Sequence, residues 1–75
     1  MAMARRQAEY DAFVRRLRLA RRRAGLTQID VAKRLGRPQS WVSNCESGQK
    51  MVDVMELRDL AKLYGRPITY FYEAD

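Results

Sequence analysis

Six uncharged polar side chains, Gln28, Gln39, Ser40, Ser43, Asn44 and Ser47, fall within 20 residues of one another. On a helix that turns Val42 and Cys45 inward, a 3.6-residue period turns Gln39, Ser40, Ser43, Asn44 and Ser47 to the opposite side. Such a row offers amides that pair bidentately with adenine N6 and N7, and hydroxyls that donate or accept at several base edges. Each well-made contact of this kind discriminates between bases by about 1–3 kcal/mol. The plain alternative is a polar face that meets only water. Around the row stand the cations Arg18, Arg22, Lys33, Arg37 and Lys50. They are the best-placed groups for phosphate, and each contact made would add about −0.9 to the slope of log K against log salt.

Other chemistries lack their residues. The chain has no His and one Cys, Cys45, which excludes an intramolecular disulfide, a Cys/His zinc site and imidazole catalysis. Ser40, Ser43 and Ser47 have no positioned base, and Asp53, Glu56 and Asp59 read as an exposed helical stretch. No glycine-rich phosphate cradle is present, so neither enzyme activity nor a metal or cofactor is expected. With 75 residues, 47% of them hydrophobic, the sequence has room for one modest core and one domain. No apolar run approaches the roughly 20 residues that span a bilayer, and no signal-peptide pattern follows Met1–Arg6. A cytoplasmic protein is expected.

Charge supports a polyanionic partner. Fifteen Lys and Arg against nine Asp and Glu give a net charge of +6 and a sequence pI near 10.1. Twelve of the fifteen cations are Arg, whose planar fork suits phosphate. Residues 1–24 carry eight cations and two anions, and residues 51–75 three and five, so one end of the chain is positive. A solvated basic helix face is the competing reading.

Elements that position these groups follow from punctuation at Gly25, Gly36-Arg37-Pro38, Gly48 and Gly65-Arg66-Pro67. Tyr10, Phe13, Val14, Leu17, Ala20 and Ala24 recur at spacings of three and four, predicting one long helix with an apolar stripe. Thr27, with Asp30 three residues on, predicts the cap of a second helix from Gln28 to Leu35, facing Val31, Ala32 and Leu35 inward. Pro38 opens a third helix near its first position. Asp53 caps a fourth, whose inner face is Val54, Leu57, Leu60, Ala61 and Tyr64. A last short turn after Pro67 brings Ile68, Phe71 and Tyr72 to the open end of the core. Strand signals are absent, so an all-α fold of five helical segments is predicted. Residues 1–9 form a basic extension, either frayed or continuing helix one, and residues 10–75 form the domain.

Helix, tight glycine-containing turn and second helix is the geometry that presents a helix to the major groove. Leu17-Arg18, Arg21, Gly25-Leu26-Thr27-Gln28, Val31-Ala32, Leu35-Gly36, Gln39-Ser40, Val42-Ser43, Glu46 and Gly48 resemble the helix-turn-helix signature of the phage repressor and Cro family, a likeness that covers residues 13–72 with its motif at 27–47. The resemblance implies a compact five-helix bundle of the lambda-repressor-like type and a sequence-specific transcriptional regulator of double-stranded DNA. It assigns base reading to Gln39, Ser40 and Asn44, with Ser43 beside them in the outward row. Gln28 matches a residue that binds phosphate and braces Gln39. Arg21 and Glu46 match a half-buried ion pair, with a minor phosphate contact from Arg21. Trp41 and Ser47 join the phosphate-facing set.

A dimer on half-sites about 10 base pairs apart is also implied. Its expected surface is residues 51–75, through Met51, Val52, Met55, Ile68, Tyr70 and Tyr72, some of which must belong to the core. Trp41 departs from the family pattern: it either touches sugar or a thymine methyl, or packs on helix four. Cys45 stands where a larger aliphatic residue is usual and reads as a small hydrophobe. Leu19 and Ile29 are apolar surface positions, ordinary or part of a partner surface. Two other functions use the same residues: a protein-partner module of antitoxin or adaptor type, and the leading DNA-binding module of a longer regulator. A membrane-surface helix at residues 5–24 is disfavoured because the core needs its apolar stripe, and no small-molecule ligand is evident.

Overall fold

The computed structural model describes residues 2–72, with side chains from residue 4 onward. Residue 1 of the basic extension and residues 73–75 of the 51–75 surface lie outside the described residues. Four α-helices follow in order: α1 (Ala2–Arg23), α2 (Gln28–Leu35), α3 (Gln39–Ser47) and α4 (Val54–Tyr64). The fifth expected helix is a single 3₁₀ turn, Ile68–Phe71. The fold is all-α, and no strand occurs among the described residues.

Helix α1 takes in most of the basic extension, where Ala, Arg and Gln are strong helix formers and Gln7 donates to Asp11 one turn on at 3.0 Å. Its last turn holds Arg21, Arg22 and Arg23, cations placed favourably against the negative end of the helix dipole. Helices α2 and α4 each open with a capping box. Thr27 accepts from the Asp30 N–H while the Asp30 carboxylate accepts from the Thr27 N–H, and Asp53 and Glu56 repeat the exchange. Between α2 and α3 the chain turns through Gly36 at φ 65°, a left-handed conformation open to glycine without penalty.

Inside, Phe13, Val14, Leu17 and Ala20 of α1 meet Val31 and Ala32 of α2, Val42 and Cys45 of α3, and Leu60, Ala61 and Tyr64 of α4. Phe71 plugs the open end, edge-on to Phe13 and Tyr70 with ring centroids at 6.4 and 5.1 Å. Helix α3 packs against both α1 and α2, and the 3₁₀ turn against α1 and α4. The Tyr10 hydroxyl staples the loop after α3 to α1, donating to the Lys50 carbonyl and accepting from the Val52 N–H.

Four residues expected inside lie outside. Ala24 follows the last helical residue of α1 and is exposed in the turn. Val54 shares the sector of Leu57 and Ala61, but it begins α4, and with no element of the described residues laid over it, it stays 75% exposed. Ile68 and Tyr72 remain on the rim because the short 3₁₀ turn directs Phe71 into the inward space, with Tyr70 packed beside it. Glu56, read as an exposed acid, is buried.

Candidate nucleic-acid interface

One connected set of side chains fixes the start of α3. Arg21 makes a two-point contact with Glu46, Nε to Oε2 at 2.7 Å and Nη2 to Oε1 at 3.0 Å, and its Nη1 donates to the Leu26 carbonyl at 2.9 Å. The side chains of Arg21 and Glu46 are 11% and 4% exposed. Hydrogen bonding to Glu46 holds the Arg21 guanidinium above its ordinary pKa. Gln28 Nε2 donates to Glu46 Oε1 at 3.0 Å, and Gln39 Nε2 donates to Gln28 Oε1 at 3.4 Å. A buried ion pair thus orients two amides in succession, the second on the outer surface.

From there the outward row runs along α3. Gln39, Ser40, Asn44 and Ser47 are exposed and Ser43 is half-buried. The Ser43 and Ser47 hydroxyls donate back to the Ser40 and Asn44 carbonyls at 3.3 and 3.2 Å. Each hydroxyl oxygen keeps acceptor capacity, although Ser47 Oγ also receives the Gln49 N–H at 3.4 Å. No charged side chain stands in the row, so its chemistry is that of amides and hydroxyls.

The cations divide into two groups. Arg22 and Lys33 are exposed. The other three are engaged with groups of the fold, Arg37 while itself exposed. Arg18 donates to the Glu46 carbonyl in the last turn of α3, while Arg37 and Lys50 both lie against Glu56, at 3.7 and 3.0 Å. Trp41 lies between those two, with the Arg37 guanidinium 4.6 Å and the Lys50 ammonium 6.0 Å from its ring centroid. The indole packs on the core and its Nε1 is buried without a hydrogen-bond partner. Sequence places Trp41 either in the phosphate-facing set or packed on helix four, and the buried Nε1–H is the only hydrogen-bond donor its side chain has.

Sequence reasoning missed Glu56. Its carboxylate accepts from the Asp53 N–H and from Lys50, which hold it below the ordinary carboxylate pKa. The signal was present as an Asp-x-x-Glu capping box, which turns the Glu side chain back over the first turn. Away from α3, an open apolar groove is lined by Tyr10 and Phe13 on one side and Met51, Val52, Val54 and Leu57 on the other.

No helix among the described residues is long and apolar enough to cross a membrane. No curated protein and no solved structure matches the chain. Residues 12–69, from the second half of α1 to the closing turn, match the family model described as a helix-turn-helix domain. With most of its length in that match and an amide row braced on the helix after its turn, the chain belongs to the helix-turn-helix domain family.

Proposed function

We propose that this protein is a sequence-specific transcriptional regulator of the phage repressor and Cro type, which places α3 in the major groove of double-stranded DNA. The observation that carries the reading is the uncharged outward row Gln39, Ser40, Ser43 and Asn44, whose first amide, Gln39, is braced through Gln28 to the Arg21–Glu46 pair. Family membership supports DNA binding in general, and a braced amide gives that binding a base preference, because its orientation is set before DNA arrives. Arg22, Lys33 and Ser47 supply phosphate contacts, Gln28 and Arg18 add theirs from the edges of the fold, and Arg37 and Lys50 contribute from beside Glu56. Bound there, the protein blocks or recruits polymerase.

One such module reads only a few base pairs, and we infer a homodimer on two half-sites. Support comes from Met51, Val54, Met55 and Tyr72, large apolar residues exposed near the groove. Tyr70 and Val52 pack against the core instead. The groove carries Arg6 as well as Glu9 and Asp53, a mixed charge that suits a self-complementary surface.

Selection from a random duplex library tests the reading. The expected product is a paired motif with centres about 10 base pairs apart, bound about 10³-fold or more tighter than scrambled duplex. Asn44→Ala should relax one position of each half-site by about 1–3 kcal/mol. An Asn44→Ala profile identical to wild type at every position refutes base reading by α3. Sedimentation mass of Val54→Lys and Met51→Lys tests the dimer: both should be monomeric and folded, and unchanged mass assigns the groove to another occupant.

A further inference from the structure

Two cations reach one carboxylate from opposite ends of α3. Arg37, in the turn before the helix, places Nη2 3.7 Å from Glu56 Oε2. Lys50, beyond the glycine that ends the helix, donates from Nζ to Glu56 Oε1 at 3.0 Å. The carboxylate is not free to leave: it is buried, and the same Oε1 accepts from the Asp53 N–H at 3.0 Å as part of the α4 cap. Arg37 and Lys50 are themselves partly open to solvent, with side chains 45% and 33% exposed. Each therefore has an internal anion on one side and room for an external one on the other.

We propose that Glu56 is an internal counter-ion to the DNA contact, which holds Arg37 and Lys50 beside α3 and, by its fixed negative charge, limits their grip on phosphate. The inference rests on the DNA-binding reading above. A phosphate that approaches either cation also approaches the anchored carboxylate, and the repulsion is stronger beside a buried group than in bulk water. Cations already neutralised also release fewer condensed counterions when DNA binds. Glu56 makes no hydrogen bond to the outward row, so its effect falls equally on a preferred sequence and on a scrambled one. The strength of sequence-independent binding is then set separately from base choice.

Glu56→Gln removes the charge and keeps the shape, and Gln serves at the third position of a capping box as Glu does. Fluorescence anisotropy on a selected duplex and a scrambled duplex, at several salt concentrations, reads the consequence. Glu56→Gln should bind both about 3- to 10-fold tighter than wild type, with a salt slope steeper by about 1 to 2 as Arg37 and Lys50 come into play. In the Lys50→Met background that gain should shrink.

Folded Glu56→Gln with wild-type or weaker affinity and an unchanged slope overturns the inference. Lys50→Met alone is a second reading, independent of how well Glu56→Gln folds. It should flatten the wild-type slope by much less than the full contact value of about 0.9, and a full loss also overturns the inference. Wild-type protein that binds neither duplex overturns the DNA reading and the inference together.

Discussion

Arg21→Met puts the central ion pair to the test. Arg21 fills both Glu46 oxygens, and without it, among the described residues, Gln28 is the one side chain left donating to that carboxylate. Glu46 is 4% exposed, so water cannot readily replace the lost donors. Leaving a buried charge without its partner costs about 3–5 kcal/mol. A chain of 75 residues has about 4–11 kcal/mol of stability in total at 0.05–0.15 kcal/mol per residue, so the substitution should remove a large share of it. The expected fall in Tm is at least about 12 °C, taking 3 kcal/mol at 4 °C per kcal/mol for a domain of this size. Urea unfolding followed by circular dichroism gives the free energy directly. Adding Glu46→Leu to Arg21→Met should recover part of the loss, because the stranded charge is gone while Gln28 Nε2 and the Leu26 carbonyl have lost their side-chain partners. A loss below about 1 kcal/mol for Arg21→Met, the range of solvent-screened pairs, or a double variant less stable than either single one, refutes the reasoning.

Three further outcomes follow from burial and charge. Phe71→Ala should cost about 3–5 kcal/mol, since Phe71 is fully buried, while exposed Tyr72→Ala should stay within about 0.5 kcal/mol; equal effects in urea melts contradict the account of the closing turn. Burial pushes the Cys45 thiol up to about 11, so a disulfide reagent at pH 8 should label the native protein at least about 100-fold more slowly than the unfolded chain, and prompt native labelling contradicts the packing. Glu56 and Asp30 both lie below ordinary carboxylate values, chiefly through backbone N–H groups of Asp53 and Thr27. The unfolded chain therefore protonates first as pH falls, and their stabilisation is full above the ordinary carboxylate range and lost below about pH 5. Glu56→Gln should flatten that acid limb, and parallel urea midpoints across pH 7 to 3 contradict the assignment.

Local signals proved reliable wherever the physics is local. Thr27 with Asp30 opens α2, Asp53 opens α4, and Gly25 and Gly65 close α1 and α4, because caps and left-handed turns involve only residues a few positions apart. Inward faces were legible in the middle of each helix, as at Leu17, Val31, Val42 and Leu60, where a neighbour covers the stripe. Periodicity failed at element ends. Val54 keeps the right phase but no described element lies over it, and Ile68 belongs to a turn too short to bury more than one sector. The capping box Asp53-x-x-Glu56 was legible as a local signal, but the gathering of Arg37 and Lys50 around Glu56 and Trp41 was not, because it depends on residues 37, 50 and 56 meeting in space, which no spacing along the chain encodes.

That convergence has a consequence for how α3 is controlled. Its outward row is uncharged, and two buried carboxylates, Glu46 in its last turn and Glu56 on α4, hold the charged groups around it. Glu46 ties α3 to α1 through Arg21 and, through Gln28, fixes the Gln39 amide. Glu56 belongs to α4 and gathers the two flanking cations. On the proposed DNA-binding reading, perturbing the first loosens the Gln39 amide, so base preference and stability should fall together. Neutralising the second should leave that amide in place and change only the charge offered to phosphate. If α3 is the reading helix, base choice and the grip on DNA are set through separate residues, and the two kinds of variant should separate on a plot of base preference against salt slope.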